Sequence, residues 1–392
     1  MKKKKISILG STGSIGLSTL KILDKKKNIL KPYIFVANKN YKEICFQIKI
    51  YKPEYFIITN KIVFNKIKKK FFRNKIKILN TFESLDIKKK SDITICAIPG
   101  IEGLKPTMFL IKLSKKILIA NKESIICGWQ LLKKEIKKYK TKLIPIDSEH
   151  YSIMQLLKNR KINEVNKIFL TASGGPFLNY NYKKLKNIIP SQALKHPKWN
   201  MGKKISIDSA TLMNKILELI EAQRLFNLPN SKLEILIHPN SLVHAIIDFK
   251  NGLKIFIYHE TSMIIPIANA IFDGNVDMSQ IIKFKKNNDS QINNLNFKQV
   301  DQKIFPIIKI KKRLNEYPST AIIINGANEI LVDQFLNKKA PFLGIIKIIM
   351  SVLDDRNYKQ NAIQKPRNIN QIIKIDNWAK STALKKLKNL YA

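Results

Sequence analysis

A chain of 392 residues with 45% hydrophobic content is long enough for two or three domains with sizeable cores and too apolar to remain disordered. Its formal net charge of +44 would suit a polyanion, but the cationic residues are nearly all Lys, with Arg confined to Arg73, Arg160, Arg224, Arg313, Arg356 and Arg367. Dedicated nucleic-acid readers depend on the bidentate geometry of Arg, and Lys, Asn and Ile are abundant along the whole length, as compositional drift would leave them. No nucleic-acid partner is therefore expected, and the basic surface is read as an attractor of phosphorylated small molecules and cofactor phosphates.

Cys45, Cys96 and Cys127 are odd in number and far apart, which fits neither a disulfide framework nor a zinc motif and suits a reducing cytoplasm. The opening MKKKKISILG begins like a signal peptide, but its apolar part stops at Gly10. No later run approaches the roughly 18 apolar residues of a membrane span. An unprocessed, cytoplasmic chain with no membrane partner is expected.

Residues 5–9 read as a short apolar strand, followed by Gly10-Ser11-Thr12-Gly13-Ser14-Ile15-Gly16 and a helical stretch over 17–23. Strand, glycine turn and helix in that order bring backbone N–H groups and the positive helix end to a pyrophosphate. The G-x-x-G-x-x-G spacing departs from the dinucleotide G-x-G-x-x-G, and a purely structural turn is the alternative. A second strand over 33–37 ends about 20 residues beyond the glycines, where folds of this type usually carry an acid for the ribose hydroxyls. Here the chain reads Asn38-Lys39-Asn40. A cation flanked by amides suits a 2′-phosphate, so NADPH is expected over NADH. Further strands over 55–59, 76–79, 93–98 and 117–120 alternate with helical stretches, the pattern of a parallel doubly wound sheet. Asn121, Lys122 and Glu123 follow the last of these, as a polar cluster or simply a helix start.

The strand over 142–146 delivers Asp147 and Glu149 just past its carboxyl edge, where open α/β sheets place their chemistry. Two carboxylates one residue apart repel unless a cation or proton lies between them, and hard oxygen ligands suit Mg²⁺ or Mn²⁺. An Asp-x-Glu in a solvated loop is the plainer alternative. Residues 168–170 form a strand running into Ser173-Gly174-Gly175-Pro176, able to present amides and the Ser173 hydroxyl to an anion, or to serve as a turn. Residues 191–204 combine His196, Trp199 and Met201 with Pro197 and Gly202, a loop costly to expose that either packs on the core or closes over a ligand; a lid near 193–203 is expected. A helix is expected to start at 208–211 and to run to about 226, with Met213, Ile216, Leu217 and Ile220 buried. Asn214, Lys215 and Glu218 gather on a neighbouring face, either as an exposed ion pair or with Glu218 as the third ligand of the metal.

The segments GSTGSIG, ANKES, PIDSEH, SGGPF, HPKWNMGKKISIDSATLMNK followed by ELIEA, IHPNS and GANE resemble, in order and rough spacing, the 1-deoxy-D-xylulose 5-phosphate reductoisomerase family, from residue 6 to beyond 330. The resemblance implies an NADP-dependent oxidoreductase that rearranges and reduces 1-deoxy-D-xylulose 5-phosphate to 2-C-methyl-D-erythritol 4-phosphate in isoprenoid precursor biosynthesis, with NADPH and Mg²⁺ or Mn²⁺. It assigns the metal to Asp147, Glu149 and Glu218, and the reacting part of the substrate to Lys122, Ser148 and Glu149. Lys122 and Glu149 are the catalytic pair, with Glu218 also bordering the substrate. The phosphate side falls to Ser173, His196, Ser209, Asn214 and Lys215, and the lid to Trp199 and Met201. Thr12, Gly13, Ser14, Ile15, Asn38, Lys39, Asn40, Asn121, Glu123 and Gly202 match cofactor positions, Asn38 standing where Gly is frequent.

The implied architecture is α/β. It has a Rossmann-like NADPH-binding domain over 1–150, a central α+β catalytic domain over 151–275, a linker over 276–303 and a helical bundle over 304–392, in a chain that pairs as a homodimer. One stretch departs: His259-Glu260-Thr261-Ser262-Met263-Ile264-Ile265-Pro266 stands where the family reads close to G-x-P-D-M-R-x-P-I, so Ser262 and Ile264 replace an acid and a base. A dehydrogenase for a phosphorylated semialdehyde would account for the first 120 residues but not for three carboxylates and a phosphate pocket. A basic nucleic-acid-binding protein would account for the charge alone.

Overall fold

The computed structural model describes residues 3–87, 89–199, 201–284 and 295–391. The chain divides into two compact units, Met1–Ser124 with Gln130–Tyr151 and Ser262–Lys286, and Ile125–Trp129 with Ser152–Thr261 and Asn287–Ala392.

The first unit is built on β1 (Lys4–Leu9), β2 (Leu30–Ala37), β3 (Tyr55–Ile58), β4 (Lys77–Leu79), β5 (Ser91–Cys96), β6 (Ser114–Ile119) and β7 (Lys142–Pro145). They form one sheet in the order β4-β3-β2-β1-β5-β6-β7, and every neighbouring pair is parallel. The sequence dictates this because the strands are near-continuous apolar and β-branched runs, as a sheet covered on both faces requires. Ile6, Ile8, Ile34, Phe35, Phe56, Ile57, Ile117 and Leu118 are fully buried, each contributing roughly 1.5–3 kcal/mol of burial. The winding reverses between β1 and β5, which leaves a crevice at their carboxyl ends. The helix Ile264–Phe272 joins this unit with Pro266, Ile267, Ala268, Ala270 and Ile271 buried. Its C-terminal carbonyls are held by Lys116, whose ammonium donates to the Ala270 and Ile271 oxygens at 2.9 and 3.2 Å and pairs with Asp273 at 2.9 Å. Of the unusual pair, Ile264 opens this helix and Ser262 lies just before its cap, the Ser262 hydroxyl accepting from the Ile264 N–H at 3.4 Å.

The second unit carries a mixed sheet of β8 (Val165–Ala172), β9 (Leu233–Ile237), β10 (Val243–Phe249), β11 (Lys254–Tyr258) and β12 (Lys298–Gln299). Its order is β11-β10-β8-β9-β12, β8 and β9 being parallel and the remaining pairs antiparallel. β12 falls inside the stretch expected to be linker, of which 285–294 lies outside the described residues. The helices Thr320–Leu336, Phe342–Leu353 and Ile369–Tyr391 supply the C-terminal bundle, preceded by a 3₁₀ run, Pro306–Arg313, opened by its proline. The single helix expected from 208 to 226 is instead two, Lys203–Ala210 and Met213–Phe226. Leu212 breaks it, at φ +65° and 1% exposed; burying that side chain fixes a left-handed corner that helix periodicity cannot reveal. Met213, Ile216, Leu217 and Ile220 are buried as the periodicity requires. Among the described residues no helix is long and apolar enough to cross a membrane.

Candidate active site

In the first unit the candidate residues stand at the carboxyl ends of β1, β2, β6 and β7. After β1 the chain turns at Gly10, φ +81°, where a Cβ would lie 2.7 Å from the Ala97 carbonyl oxygen. Only glycine allows this passage over the end of β5. The Gly10 and Ser11 N–H groups both donate to the Val36 carbonyl at 2.9 Å, tying the turn to β2. Gly13 then caps the helix Ser14–Lys25 without a side-chain bond. Gly13 and Ser14 are exposed and Thr12 and Ile15 half-buried, so the first-turn amides, which have no intrahelical acceptor, face an accessible surface suited to an anion.

Asn38, Lys39 and Asn40 follow β2 and are exposed. Asn40 also caps the next helix, its Oδ1 accepting the Glu43 N–H at 3.2 Å. After β6, Asn121 is 3% exposed and serves as cap to the helix Lys122–Tyr139. Its Oδ1 accepts the Ser124 N–H at 2.8 Å, and its amide donates to the Gly100 carbonyl and to Glu123, both at 3.0 Å. The helix-start reading of this cluster is therefore correct, and it also leaves Asn121, Lys122 and Glu123 buried together at the sheet edge.

Asp147 follows β7 and precedes the helix Ser148–Leu156. The Lys122 ammonium lies 3.1 Å from its Oδ2, with both side chains largely buried. Burial alone would raise the Asp147 pKa, but Lys122 and the neighbouring His150 hold it well below the usual carboxylate range. His150, fully buried, has Nδ1 3.8 Å from the other Asp147 oxygen. The sequence reading missed it, although its place three residues after Asp147 on one helix is the signal that would have found it. Ser148 donates to Glu149 at 2.7 Å. A solvated loop does not describe this pair.

In the second unit, the Ser173 hydroxyl lies 2.9 Å from His196 Nε2 and accepts the Gly175 N–H at 3.0 Å. His196 Nδ1 accepts the backbone N–H groups of Lys198 and Trp199 at 3.1 and 2.9 Å. A nitrogen that accepts cannot carry the proton, so these bonds assign the proton to Nε2, which donates to Ser173. The Ser173 hydroxyl hydrogen is then left for another acceptor. Burial, and secondarily the Lys215 ammonium, push the His196 pKa down to about 4.

Lys215 and Glu218 sit in the first turns of the helix Met213–Phe226, paired at 2.6 Å with side chains 7% and 1% exposed. That excludes the exposed ion pair. Asn214 also donates to Glu218. Ser209 is half-buried in the preceding helix, beside a buried Asp208 that accepts from Asn328 and Lys204 at 2.8 Å each. Asn328, the Asn of GANE, thereby ties the C-terminal bundle to this helix. Gly202 caps that helix. Trp199 and Met201 are half-buried, and the Trp199 ring meets His244 edge-on at 6.1 Å. Asn200 lies outside the described residues.

Family models cover most of the chain: 1-deoxy-D-xylulose 5-phosphate reductoisomerase over residues 6–128, its C-terminal domain over 143–226, and a further DXP reductoisomerase C-terminal domain over 259–382. The reductoisomerase of Pelagibacter ubique is 47% identical over 380 residues, spanning 96% of this chain and 97% of that one. The chain belongs to the 1-deoxy-D-xylulose 5-phosphate reductoisomerase family. The corresponding enzyme of a Wolbachia from Drosophila simulans is 40% identical over 90% of each chain. Among solved structures, a DOX-P reductoisomerase in complex with NADPH, fosmidomycin and magnesium superposes with a TM-score of 0.91 at 31% identity, over 99% of both chains. The Zymomonas mobilis reductoisomerase with NADPH gives 0.88 at 30%, over 98% of this chain and 99% of that one.

Proposed function

We propose that this member of the reductoisomerase family catalyses the NADPH- and divalent-metal-dependent rearrangement and reduction of 1-deoxy-D-xylulose 5-phosphate to 2-C-methyl-D-erythritol 4-phosphate, a step of isoprenoid precursor biosynthesis. The observation that carries the reading is the buried Lys215–Glu218 pair on one helix, in a chain matching the family over nearly its whole length. The three carboxylates Asp147, Glu149 and Glu218 are a hard donor set that fits Mg²⁺, and Mn²⁺ equally. A metal so held polarises the substrate's neighbouring carbonyl and hydroxyl oxygens. The glycine turn fits the pyrophosphate of NADPH, and Lys39 between two amides its 2′-phosphate. NADPH bound there supplies the hydride.

The chain's own groups do the positioning. Lys122, beside Asp147, stabilises negative charge developing on substrate oxygen, and Glu149 with Ser148 borders the reacting carbons. Ser173, His196, Ser209, Asn214 and Lys215 receive the phosphate. Holding this remote group helps to position the small reacting centre. The segment near 193–203 closes over the site, Trp199 and Met201 excluding water. Thr12, Gly13, Ser14, Ile15, Asn38, Lys39, Asn40, Asn121, Glu123 and Gly202 contact the cofactor. By function the chain divides into a cofactor part over 1–150, a catalytic part over 151–275, a linker over 276–303 and a bundle over 304–392. It works as a cytoplasmic homodimer that engages no nucleic acid.

The direct test is the loss of NADPH absorbance on adding 1-deoxy-D-xylulose 5-phosphate and Mg²⁺ or Mn²⁺ to purified protein. Turnover that needs both substrate and metal, and stops with a chelator, is expected. A folded, NADPH-binding protein that oxidises nothing would reject the assignment.

A further inference from the structure

His259 follows the last residue of β11, and the fold gives it a partner. Tyr258, the last residue of β11, pairs with Val243 of β10, and the His259 N–H continues the ladder to the Leu242 carbonyl at 2.9 Å. That register makes His259 and His244 diagonal neighbours across the two strands, close enough for rings to meet. Their imidazoles stack, with centroids 4.0 Å apart and planes 20° from parallel. On its other side His244, 2% exposed, meets the edge of Trp199.

His259 Nδ1 lies 2.8 Å from the Glu260 carbonyl, to which it donates. Its Nε2 is buried with no hydrogen-bond partner among the described residues. Burial also lowers the His259 pKa, which favours the neutral ring that stacks without charge repulsion. An imidazole that leaves one nitrogen unused while covering another ring contributes chiefly through its face.

We propose that His259 is a positioning residue for the lid: by stacking on His244 it fixes the seat against which Trp199 packs over the substrate. This rests on the reading of Trp199 as a lid residue. It makes His259 a determinant of substrate affinity in this chain.

The test compares His259→Gly with His259→Phe in the full-length protein, by steady-state kinetics and by the emission of Trp199, identified by difference against Trp199→Phe. His259→Gly should raise KM for 1-deoxy-D-xylulose 5-phosphate about fivefold or more, leave kcat within about twofold, and shift the Trp199 emission, whereas His259→Phe, which keeps an aromatic face, should hold KM within about twofold. His259→Leu, bulky but without a ring, stands in for the glycine variant should that one not fold. Wild-type KM and emission in the ring-less variant would overturn the proposal, as would a phenylalanine variant as impaired as the ring-less one. Trp199→Ala separates the two readings. If it leaves kcat/KM unchanged, the lid assignment falls and the proposal with it; if it impairs kcat/KM while the ring-less His259 variant is inert, the proposal alone falls.

Discussion

His196 shows how single hydrogen bonds set the chemistry of this site. Two backbone N–H groups occupy Nδ1, so the ring stays neutral and its proton goes to Ser173. With a folded pKa of about 4 against about 6.5 unfolded, the unfolded state binds more protons between those values, and stability rises with pH. The contribution of His196 is thus fully present above about pH 6.5 and lost as pH falls toward 4. Denaturant melts of His196→Asn across this window should give a flatter slope than the parent protein; an unchanged slope would contradict the assignment. Glu218 offers a second test. Glu218→Gln keeps the size of the side chain and one acceptor oxygen but removes the charge, and should lower metal-dependent turnover about 100-fold or more and weaken metal binding measured by calorimetry. Unchanged metal affinity and turnover would remove Glu218 from the ligand set. The residue types and spacings announced Lys215 and Glu218. Their burial, which excludes a surface ion pair, did not follow from spacing.

Among elements, the helices Thr320–Leu336 and Ile369–Tyr391 cross at Gly326, where an added Cβ would lie 2.7 Å from Asp376 Oδ1 and 3.0 Å from the Asp376 carbonyl oxygen. Backbone cannot retreat as a long side chain can. Gly326→Ala should therefore cost about 1–3 kcal/mol, read as a lower midpoint in urea with the m-value unchanged. A neutral result would mean that the two helices separate easily. GANE is legible as a motif in the sequence, but its mechanics are not: Gly326 admits one helix, and Asn328 reaches Asp208 on another. The strands of the first unit were legible to within a few residues, because their apolar runs are bounded by turn residues. The corner at Leu212 was not, since a left-handed leucine carries no local signal and is held only by burial.

Across the whole molecule, 72 basic against 28 acidic residues give +44, and a positive field of that size should hasten capture of a phosphorylated substrate and cofactor. Raising ionic strength from about 0.05 to about 0.5 M should lower kcat/KM severalfold with little change in kcat, since screening acts on encounter rather than on the closed complex. A flat salt profile would mean that the charge lies away from the approach to the site.

By itself the sequence determined the parallel sheet, the glycine turn and the order of the carboxylates, hydroxyls and cations that mark the family. These depend on local pattern, and local pattern is written residue by residue. Only the tertiary structure decided that Lys122 neutralises Asp147, that His196 is neutral and directs its proton to Ser173, and that His259 lies on the face of His244. Charge state and ring contact depend on burial and on neighbours distant in the chain, and these exist only once the strands and helices have packed.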